Sequence, residues 1–410
     1  MWSCVNTARR TCLPAATLWL AAFIAAPAQA STETVVHSFD PTGVEGTRPL
    51  SALIKVGNLL YGTTPHGGAY NRGTVFAMTR AGVETVLHAF KRPPDGAIPR
   101  GRLHYLNGVL YGTTTRGGTG GCTSGCGTVY QIPIATNTET VLYSFQGGSD
   151  GEEPTSGLVD SGGILYGTTL LGGTAVCTTT YSSCGTFFSL TVGGVHSVLY
   201  SFKGNQDGAN PFGSLLVSGA NLFGTTGEGG ATCPDLPAGC GTVFKLTPIG
   251  GGQWSEHVRY RFLGGNDGAD PLDGLIRKNG VFYGTTFYGG ASKAGTVFGI
   301  SGTTETFIHA FTGGDGSYPS STLTDVGGTL YGATSAGGNP GCGYLYHQID
   351  GCGTIFQLIP GGIQTLYSFQ PGNDGGNPYT EGGLLNVGGD LYGTTYGGGS
   401  QFGTVFKFTP

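Results

Sequence analysis

One tandem repeat, present seven times, constrains the fold of this chain more than any other feature of its sequence. Each copy contains a segment of the type LYGTT, a Gly pair, and a segment of the type GTVF. A segment of the type ETVLYSF follows, and a Gly-x-x-Pro turn leads into the next copy. In six of the seven copies the turn proline and the LYGTT aromatic are twelve residues apart. Such regularity indicates a repeat architecture.

Each copy contains four candidate strands, which we label a to d in chain order. In the first copy they are Leu50–Val56, Leu59–Thr64, Thr74–Thr79 and Glu84–Phe90. β-Branched and aromatic residues dominate these segments, and no stretch of the sequence has a sustained helical period of apolar residues. Four-stranded units of this length predict the blades of a β-propeller. A parallel β-helix is the competing repeat architecture.

The phase of the repeat favours a closed ring. A lone d segment, Glu33–Phe39, precedes the first a segment, and the sequence ends at Pro410 directly after a c segment. In a ring the N-terminal strand completes the last blade, whereas an open stack would expose unpaired strand edges at both ends. We therefore expect an all-β, seven-bladed β-propeller of four-stranded blades, closed by the N-terminal strand.

The first thirty residues have the features of a secretory signal peptide. Arg9 and Arg10 precede an apolar run from Leu13 to Ala26, and an A-x-A cleavage site ends at Ala30. No later segment has eighteen consecutive apolar residues, so we expect no membrane span. The predicted organisation is a signal peptide at 1–30 and a single propeller at 31–410, secreted to the periplasm or the cell exterior.

Charge and composition limit the classes of partner. Without the two arginines of the predicted signal peptide, 17 basic residues face 24 acidic ones, whereas nucleic-acid binding favours a basic surface. The 80 glycines and 21 prolines would suggest disorder, but 38% of the residues are hydrophobic, which allows a core. We expect a monomer that binds no nucleic acid, with an extracellular polysaccharide or a protein as partner.

Eight cysteines follow residue 30, always in pairs between the Gly pair and the GTVF segment. The four copies that contain them have longer loops there than the three copies that lack them. We therefore expect each pair to form a disulfide within its own loop, as an oxidising compartment allows. A zinc site is the rival interpretation, but no CxxC pair is present. The predicted disulfides are Cys122 with Cys126, Cys177 with Cys184, Cys233 with Cys240, and Cys342 with Cys352.

Two further sets of residues are predicted to be structural. The Asp of each Asp-Gly pair is expected to form a turn by bonding nearby backbone. His37, His88 and His309 occupy a strand-d position that is Tyr in the other copies. We also considered calcium at Asp267 and Asp270, but their spacing matches no known calcium loop. The expectation is therefore no metal and no cofactor.

The LYGTT…GG…GTVF unit resembles the GloVer-type tandem repeat of secreted bacterial proteins, and this resemblance covers residues 31–410. It implies a propeller-like secreted protein of largely unassigned activity. Members of that family often carry a variable C-terminal anchoring segment, whereas this sequence ends on the repeat at Pro410, which argues against surface anchoring. The family carries no catalytic residue set, so none is transferred.

The candidate ligand-binding residues come from the face where the d–a turns and the b–c loops are expected to meet. Sites on propellers tend to occupy such loop-rich mouths. The residue before the Gly pair varies between copies. Strand a adds charged residues near the same mouth. Aromatic side chains there offer flat faces on which sugars can stack. Unconstrained, solvated loop residues are the alternative interpretation. The predicted set is His66, Tyr70, Arg102, Arg116, Glu228, Asp273, Tyr288, Glu381 and Tyr396.

Two functions remain open at this point. We favour a binding or scaffold module with carbohydrate as a candidate ligand, because no acid/base set stands out from the seven near-equivalent copies. The alternative is a polysaccharide-active enzyme. A lyase would use His66 or Tyr288 as the base and Arg102 or Arg116 to neutralise a uronate carboxylate. A glycoside hydrolase would instead need two carboxylates, for which the acidic residues of the predicted set are the candidates.

Overall fold

Seven four-stranded antiparallel sheets form the blades of a β-propeller in the computed structural model of this chain. Within each blade the hydrogen-bonded order is a-b-c-d, from the central channel outwards. The predicted all-β, seven-bladed architecture is therefore confirmed. The structure describes residues 31–40, 44–91, 93–177, 183–205, 207–234, 236–342, 350–372, 374–379, 381–399 and 401–410. The predicted signal peptide at 1–30 lies outside these residues.

The strands of each type recur with similar bounds in blades 1 to 7. Strand a spans Ile54–Val56, His104–Leu106, Val159–Ser161, Leu216–Ser218, Ile276–Lys278, Thr324–Val326 and Leu385–Val387. Strand b spans Leu59–Thr64, Val109–Gly117, Ile164–Thr169, Asn221–Thr226, Val281–Thr286, Thr329–Ala336 and Asp390–Thr395. Strand c spans Thr74–Thr79, Thr128–Pro133, Thr186–Thr191, Thr242–Gly250, Thr296–Ser301, Thr354–Ile359 and Thr404–Thr409. Strand d spans Glu84–Ala89, Thr140–Ser144, His196–Ser201, Gln253–Arg261, Thr304–Ala310, Gly362–Ser368 and Thr32–Ser38.

Within the described parts of the connections, the regular segments are short. Two-residue to four-residue strands lie at Gly46–Thr47, His66–Gly67, Gly96–Pro99 and Ser317–Pro319, and 3-10 turns lie at Gly148–Asp150 and Gly265–Asp267. No helix in the described ranges is long and apolar enough to cross a membrane.

The ring closes through the N-terminal strand. Thr32–Ser38 pairs antiparallel with strand c of blade 7, so that Glu33 is opposite Phe408 and Ser38 is opposite Thr404. The phase of the repeat predicted this pairing, which is confirmed. Because the first and last described segments share one sheet, the edge that an open stack would expose is covered.

Aromatic side chains fill the interfaces between blades. The Phe at the end of each strand d packs edge to face against the strand-c aromatic of the next blade, with ring centroids 5.0 to 5.5 Å apart at all seven interfaces. Phe262 and Phe298 are one such pair, and both are at most 1% exposed. Burial of each ring contributes roughly 1.5–3 kcal/mol, and the edge-to-face geometry adds to it.

The small residues of the motifs also have defined structural roles. The LYGTT glycine lies under the strand-c aromatic, so a Cβ at Gly284 would be 2.5 Å from the Phe298 ring. The GTVF glycine has a positive φ and contacts the turn proline of the next blade. At Gly295 the φ is 95°, and a Cβ would lie 2.5 Å from Cδ of Pro319. Both contacts require glycine, which explains why glycine recurs at these two positions of the motifs.

The turn carboxylates bind backbone and side chains, as predicted. Asp267, for example, accepts a hydrogen bond from the backbone N–H of Leu263 at 2.7 Å and one from the Tyr260 hydroxyl at 2.6 Å. His88 and His309 replace that Tyr in their blades and contact Asp95 and Asp315 at 3.0 and 2.8 Å. The structural role expected for these two histidines is therefore confirmed.

Each cysteine pair forms the disulfide expected within its own loop. The four bonds join Cys122 to Cys126, Cys177 to Cys184, Cys233 to Cys240, and Cys342 to Cys352.

In the first copy, the bounds of strands a and d differ from the prediction. Strands b and c match the predicted ranges, but strand a begins at Ile54 rather than Leu50, and strand d ends one residue before Phe90. Residues 50–52 do not pair with strand b through their backbone, and Ser51 is linked to Thr63 of strand b by a side-chain hydrogen bond of 2.9 Å. Their backbone pairs with blade 7 instead, because Ala52 donates its N–H to the Glu381 carbonyl at 2.8 Å and Glu381 donates to the Leu50 carbonyl at 2.9 Å.

Candidate functional site

The d–a turns and the b–c loops form one face of the propeller, which we call the loop face. In every blade an antiparallel bridge joins the residue before the Gly pair to the residue two positions before the turn proline. Ala209 with Glu228 and Ala269 with Tyr288 are examples. The Thr that ends each LYGTT-type segment also donates its hydroxyl to the carbonyl of the residue before the Gly pair. Motif residues thus fix the backbone of this face, while its side chains differ from blade to blade.

The seven residues directly before the turn prolines form a ring on the loop face, in addition to the residues before the Gly pairs. All seven have a φ between 53° and 59°, a region that costs an L-residue other than Gly roughly 1–2 kcal/mol. Their backbone N–H groups donate to carbonyls of the preceding blade over 2.6 to 2.9 Å, which holds this conformation. Such outliers indicate possible functional positions. The ring consists of Arg48, Ile98, Glu153, Asn210, Asp270, Tyr318 and Asn377.

A pocket of about 380 Å³ opens at the centre of the loop face. This volume is within the range of small-molecule sites, and the lining combines aromatic, aliphatic, acidic, amide and guanidinium groups. The lining residues are Leu50, Arg100, Leu170, Asn210, Phe212, Gly227, Glu228, Asp270, Leu272, Phe287, Tyr288, Tyr379 and Tyr396.

Two acidic residues, Glu228 and Asp270, line the pocket. Desolvation by the surrounding protein, and then the neighbouring charge of Glu228, raise the pKa of Asp270 to about 8. The backbone at Glu228 is held to the turn before blade 4, because Gly227 donates its N–H to the Asn210 carbonyl at 3.1 Å and Glu228 donates to the Ala209 carbonyl at 3.0 Å. Asp270 therefore retains a proton in neutral solution.

Aromatic rings form the adjacent wall. The rings of Phe287 and Tyr288 meet edge to face at 5.1 Å, and Phe287 stacks on Tyr318 at 5.1 Å with an interplanar angle of 23°. Burial, followed by the charge of Asp270, raises the pKa of Tyr288, so its hydroxyl stays protonated. This wall offers ring surface together with a hydroxyl that can both donate and accept a hydrogen bond.

Arginines lie on the opposite side. The Arg100 guanidinium is 2.9 Å from a carboxylate oxygen of Glu381 and 5.4 Å from the ring centroid of Phe212. Arg48 donates to the Tyr396 hydroxyl at 3.1 Å and lies 5.1 Å from the centroid of that ring. The pocket therefore has a cationic side and an acidic side.

Six of the nine predicted ligand-binding residues lie in or directly below this pocket. Glu228, Tyr288 and Tyr396 line it. Arg102, Asp273 and Glu381 line a much smaller cavity in the central channel, which shares Phe212 and Leu272 with the pocket.

The two acidic residues of the channel, Asp273 and Glu381, are buried in the protein interior. Asp273 is 5% exposed, and burial, followed by the charge of Glu381, raises its pKa well above the usual value. Burial likewise raises the pKa of Glu381, against the effect of Arg100. The pKa of Arg102 is lowered by desolvation, although its side chain keeps access to water. These groups form the floor beneath the pocket.

The other three predicted residues do not line the pocket. His66 is exposed, and desolvation, then the charges of Arg48 and Arg100, lower its pKa. Tyr70 is 58% exposed. Arg116 forms an ion pair of 2.5 Å with Glu153 of the next blade. Of the residues considered for a lyase, only Tyr288 therefore lies in the pocket, and of the acidic residues considered for a hydrolase, only Glu228 does.

Sequence reasoning missed Asn210, Phe212, Tyr379 and Arg100, which precede or follow a turn proline. Asp270, which also precedes one, was considered only as a calcium ligand. Their position in the repeat was the available signal. We had interpreted the Gly-x-x-Pro segment only as a turn, whereas the residues on both sides of its proline line the pocket in blades 4 and 5, and the residue after it does so in blades 1, 2 and 7.

Comparison with known proteins gives a match at the level of a family. A family model described as the Gloeobacter/Verrucomicrobia repeat matches residues 22–181 and 177–346. No curated protein sequence matches the chain.

Solved structures of other proteins show the same fold. A putative 6-phosphogluconolactonase from Bacteroides uniformis is 15% identical, with a TM-score of 0.52 over 82% of this chain and 88% of that one. A puromycin-hydrolyzing peptidase from Mycobacterium tuberculosis is 13% identical, with a TM-score of 0.51 over 90% of this chain and 53% of the peptidase. This chain therefore spans about half of the peptidase. At such identities the likeness concerns the fold alone.

Proposed function

Because this chain belongs to the Gloeobacter/Verrucomicrobia repeat family, whose repeat here builds a propeller with a pocket at its mouth, we propose that it is a secreted carbohydrate-binding module. The site is the pocket at the centre of the loop face. Its occupant is one sugar unit, carried either by an extracellular polysaccharide or by a glycosylated protein partner. The module acts as a monomer.

The composition of the pocket is the observation that carries this proposal. A sugar presents apolar C–H faces and a ring of hydroxyls, so it is bound by aromatic surface together with groups that donate and accept hydrogen bonds. Tyr288, Tyr379 and Tyr396 supply rings with hydroxyls, and Glu228 and Arg100 supply an acceptor and a donor. A volume of about 380 Å³ suits one such unit.

Two features support the proposed secretion. The four disulfides are those of an oxidising compartment, and the first thirty residues have the pattern of a signal peptide. Of the residues considered from the sequence for a lyase or a hydrolase, only Tyr288 and Glu228 line the pocket.

Binding to a panel of immobilised oligosaccharides, including uronate-containing ones, tests the proposal. We expect wild-type protein to bind a subset of the panel. Tyr288→Ala and Tyr396→Ala should each weaken that binding at least about tenfold, or roughly 1.4 kcal/mol, because each removes a ring from the pocket. The matched control is Tyr105→Ala, which removes a tyrosine that is 42% exposed in strand a, below the pocket.

The control should bind like the wild type. No binding across the panel, or equal loss in the control, would contradict the proposal. Release of unsaturated or reducing products from a bound polysaccharide would instead identify an enzyme.

A further inference from the structure

Three positions of the repeat come together where the outer strands of adjacent blades meet. The first is the strand-d residue that is Tyr or His, and the second is the acidic residue of the turn that follows it. The third lies six residues before the strand-d Phe of the next blade. Between blades 4 and 5 they hold Tyr260, Asp267 and Glu305, and the Tyr260 hydroxyl donates to Asp267 at 2.6 Å. A phenol thus satisfies the turn carboxylate there.

Between blades 1 and 2 the same three positions hold His88, Asp95 and Glu139. Nε2 of His88 is 3.0 Å from Oδ2 of Asp95, and one ligand atom from each of the three residues lies within 4.8 Å of the other two. No other interface in the described part of the chain brings one histidine and two carboxyl groups this close together. One imidazole nitrogen with two carboxylate oxygens is a set of ligands that zinc and similar ions bind.

The distances between these three side chains suit a single ion. Zinc binds histidine nitrogen and carboxylate oxygen at about 2.0–2.2 Å, so two ligand atoms of one tetrahedral ion are about 3.3–3.6 Å apart. The His88 and Asp95 atoms are already near that separation. A movement of the Glu139 carboxyl group on the order of 1 Å brings the third ligand to it. A glutamate side chain can make such a movement by rotation alone.

The Glu139 carboxyl group supplies an independent indication of a ligand. Its Oε1 atom is buried and has no hydrogen-bond partner among the described residues. At two other interfaces the equivalent glutamate shares a hydrogen bond with the turn carboxyl group, Glu33 with Asp374 and Glu256 with Asp207. A buried acceptor without a partner is costly, and an ion bound beside His88 and Asp95 removes that cost.

We propose that His88, Asp95 and Glu139 bind one divalent transition-metal ion, zinc first, between blades 1 and 2. The protein ligands are Nε2 of His88 and one oxygen of each carboxyl group, and water completes the coordination. Desolvation, followed by the charge of Asp95, raises the pKa of Glu139 to about 7, so an ion can displace its proton in neutral solution. The ion joins strand d of blade 1 and the turn after it to blade 2. None of the three residues lines the pocket.

Calorimetric titration of chelator-treated, full-length protein with Zn²⁺, and separately with Mn²⁺, tests the proposal without any sugar. We expect one Zn²⁺ per chain, at least tenfold weaker binding in Glu139→Gln, and none at this site in His88→Tyr. Four other blades have Tyr at the position of His88, so His88→Tyr should fold and should melt near the wild-type temperature in chelator. Zinc should raise the melting temperature of the wild type but not that of His88→Tyr.

The matched control is His309→Tyr. His309 contacts Asp315 at 2.8 Å, as His88 contacts Asp95, but the third position of that interface is Ile363, which offers no ligand atom. This control should bind zinc like the wild type. The proposal is overturned if the wild type binds neither ion with a dissociation constant below about 10 μM. It is equally overturned if His88→Tyr binds like the wild type, or if His309→Tyr loses binding to the same extent. Since the titration contains no carbohydrate, its outcome is independent of the sugar-binding test.

Discussion

At the scale of single residues, most motif positions have one structural task that is repeated in every blade. The Thr that ends each LYGTT-type segment and the first Thr of strand c share a hydroxyl hydrogen bond of 2.7 to 2.9 Å in all seven blades. A position that departs from its repeat is therefore informative. Tyr130 is such a case, because the other six blades have Phe there.

Replacing Tyr130 with Phe should stabilise the protein. The Tyr130 side chain is 0% exposed, and its hydroxyl has no hydrogen-bond partner among the described residues. Removing a buried hydroxyl without a partner should raise the free energy of unfolding by about 1 kcal/mol, as measured by urea denaturation.

The matched control is Tyr143→Phe, because the Tyr143 hydroxyl donates to Asp150 at 2.8 Å. This variant should be destabilised by a similar amount. If both variants change stability in the same direction, the distinction between a satisfied and an unsatisfied hydroxyl is wrong.

Individual residues also show which parts of the site could not be predicted from the sequence. Glu228 and Tyr288 were found because the residue before the Gly pair varies while its backbone is fixed, and Tyr396 was found as an aromatic side chain for sugar stacking. Asn210 was missed, and Asp270 was considered only for calcium, because a residue before proline is ordinarily extended, whereas here the interface imposes a positive φ. That conformation depends on backbone hydrogen bonds to the neighbouring blade, which the local sequence does not contain.

At the scale of elements, a glutamate at or near the start of strand d lies close to an acidic turn residue of the preceding blade in several blades. Five glutamates of strand d, or directly before it, have one carboxyl oxygen that is buried without a hydrogen-bond partner among the described residues. Desolvation and then a nearby carboxylate raise the pKa of three of them to about 7. Desolvation and a hydrogen bond to the turn Asp raise the pKa of the other two. They are Glu33, Glu84, Glu139, Glu256 and Glu305.

These glutamates should make the protein less stable as pH rises. A pKa raised from 4.5 to about 7 means that the folded state binds the proton more tightly than the unfolded state does. The resulting stability is complete below pH 4.5 and is lost as pH rises through about 7. The urea midpoint should therefore be lower at about pH 8 than at about pH 5.

Glu139→Gln removes one titrating group and should make this pH dependence shallower. The control is Asp325→Asn at a surface ion pair with Lys278, which should keep the wild-type profile. A profile that is flat in the wild type, or steeper in Glu139→Gln, would show that the interface carboxyls do not retain their protons.

The elements also show how far sequence reasoning reached. Strands b and c of the first copy were predicted with the bounds that the structure has, because the paired Thr residues and the glycines mark their ends. Strand a was predicted too long, because residues 50–52 have strand composition but pair with Glu381 of blade 7 rather than with strand b. Composition does not show which neighbouring segment a stretch of backbone will pair with.

At the scale of the whole molecule, the number of blades and the closure were predictable because every segment occurs seven times and the d segment comes first. The face that carries the pocket was also predicted, but its full lining was not, because it depends on residues from most of the blades that meet on one axis. Closure is the central claim, since it places those residues together. It rests on the pairing of Thr32–Ser38 with strand c of blade 7.

Disulfide cross-linking tests closure most directly. Thr34 is opposite Lys407 in this pairing, at the separation that a disulfide between opposed strands requires. The comparison variant places the second cysteine at Gln131, which has the same repeat position in blade 2. If the ring is closed, mild oxidation should cross-link the double variant Thr34→Cys with Lys407→Cys. It should not cross-link the double variant Thr34→Cys with Gln131→Cys. No cross-link in the first pair, or equal cross-linking in both, would contradict the closed ring.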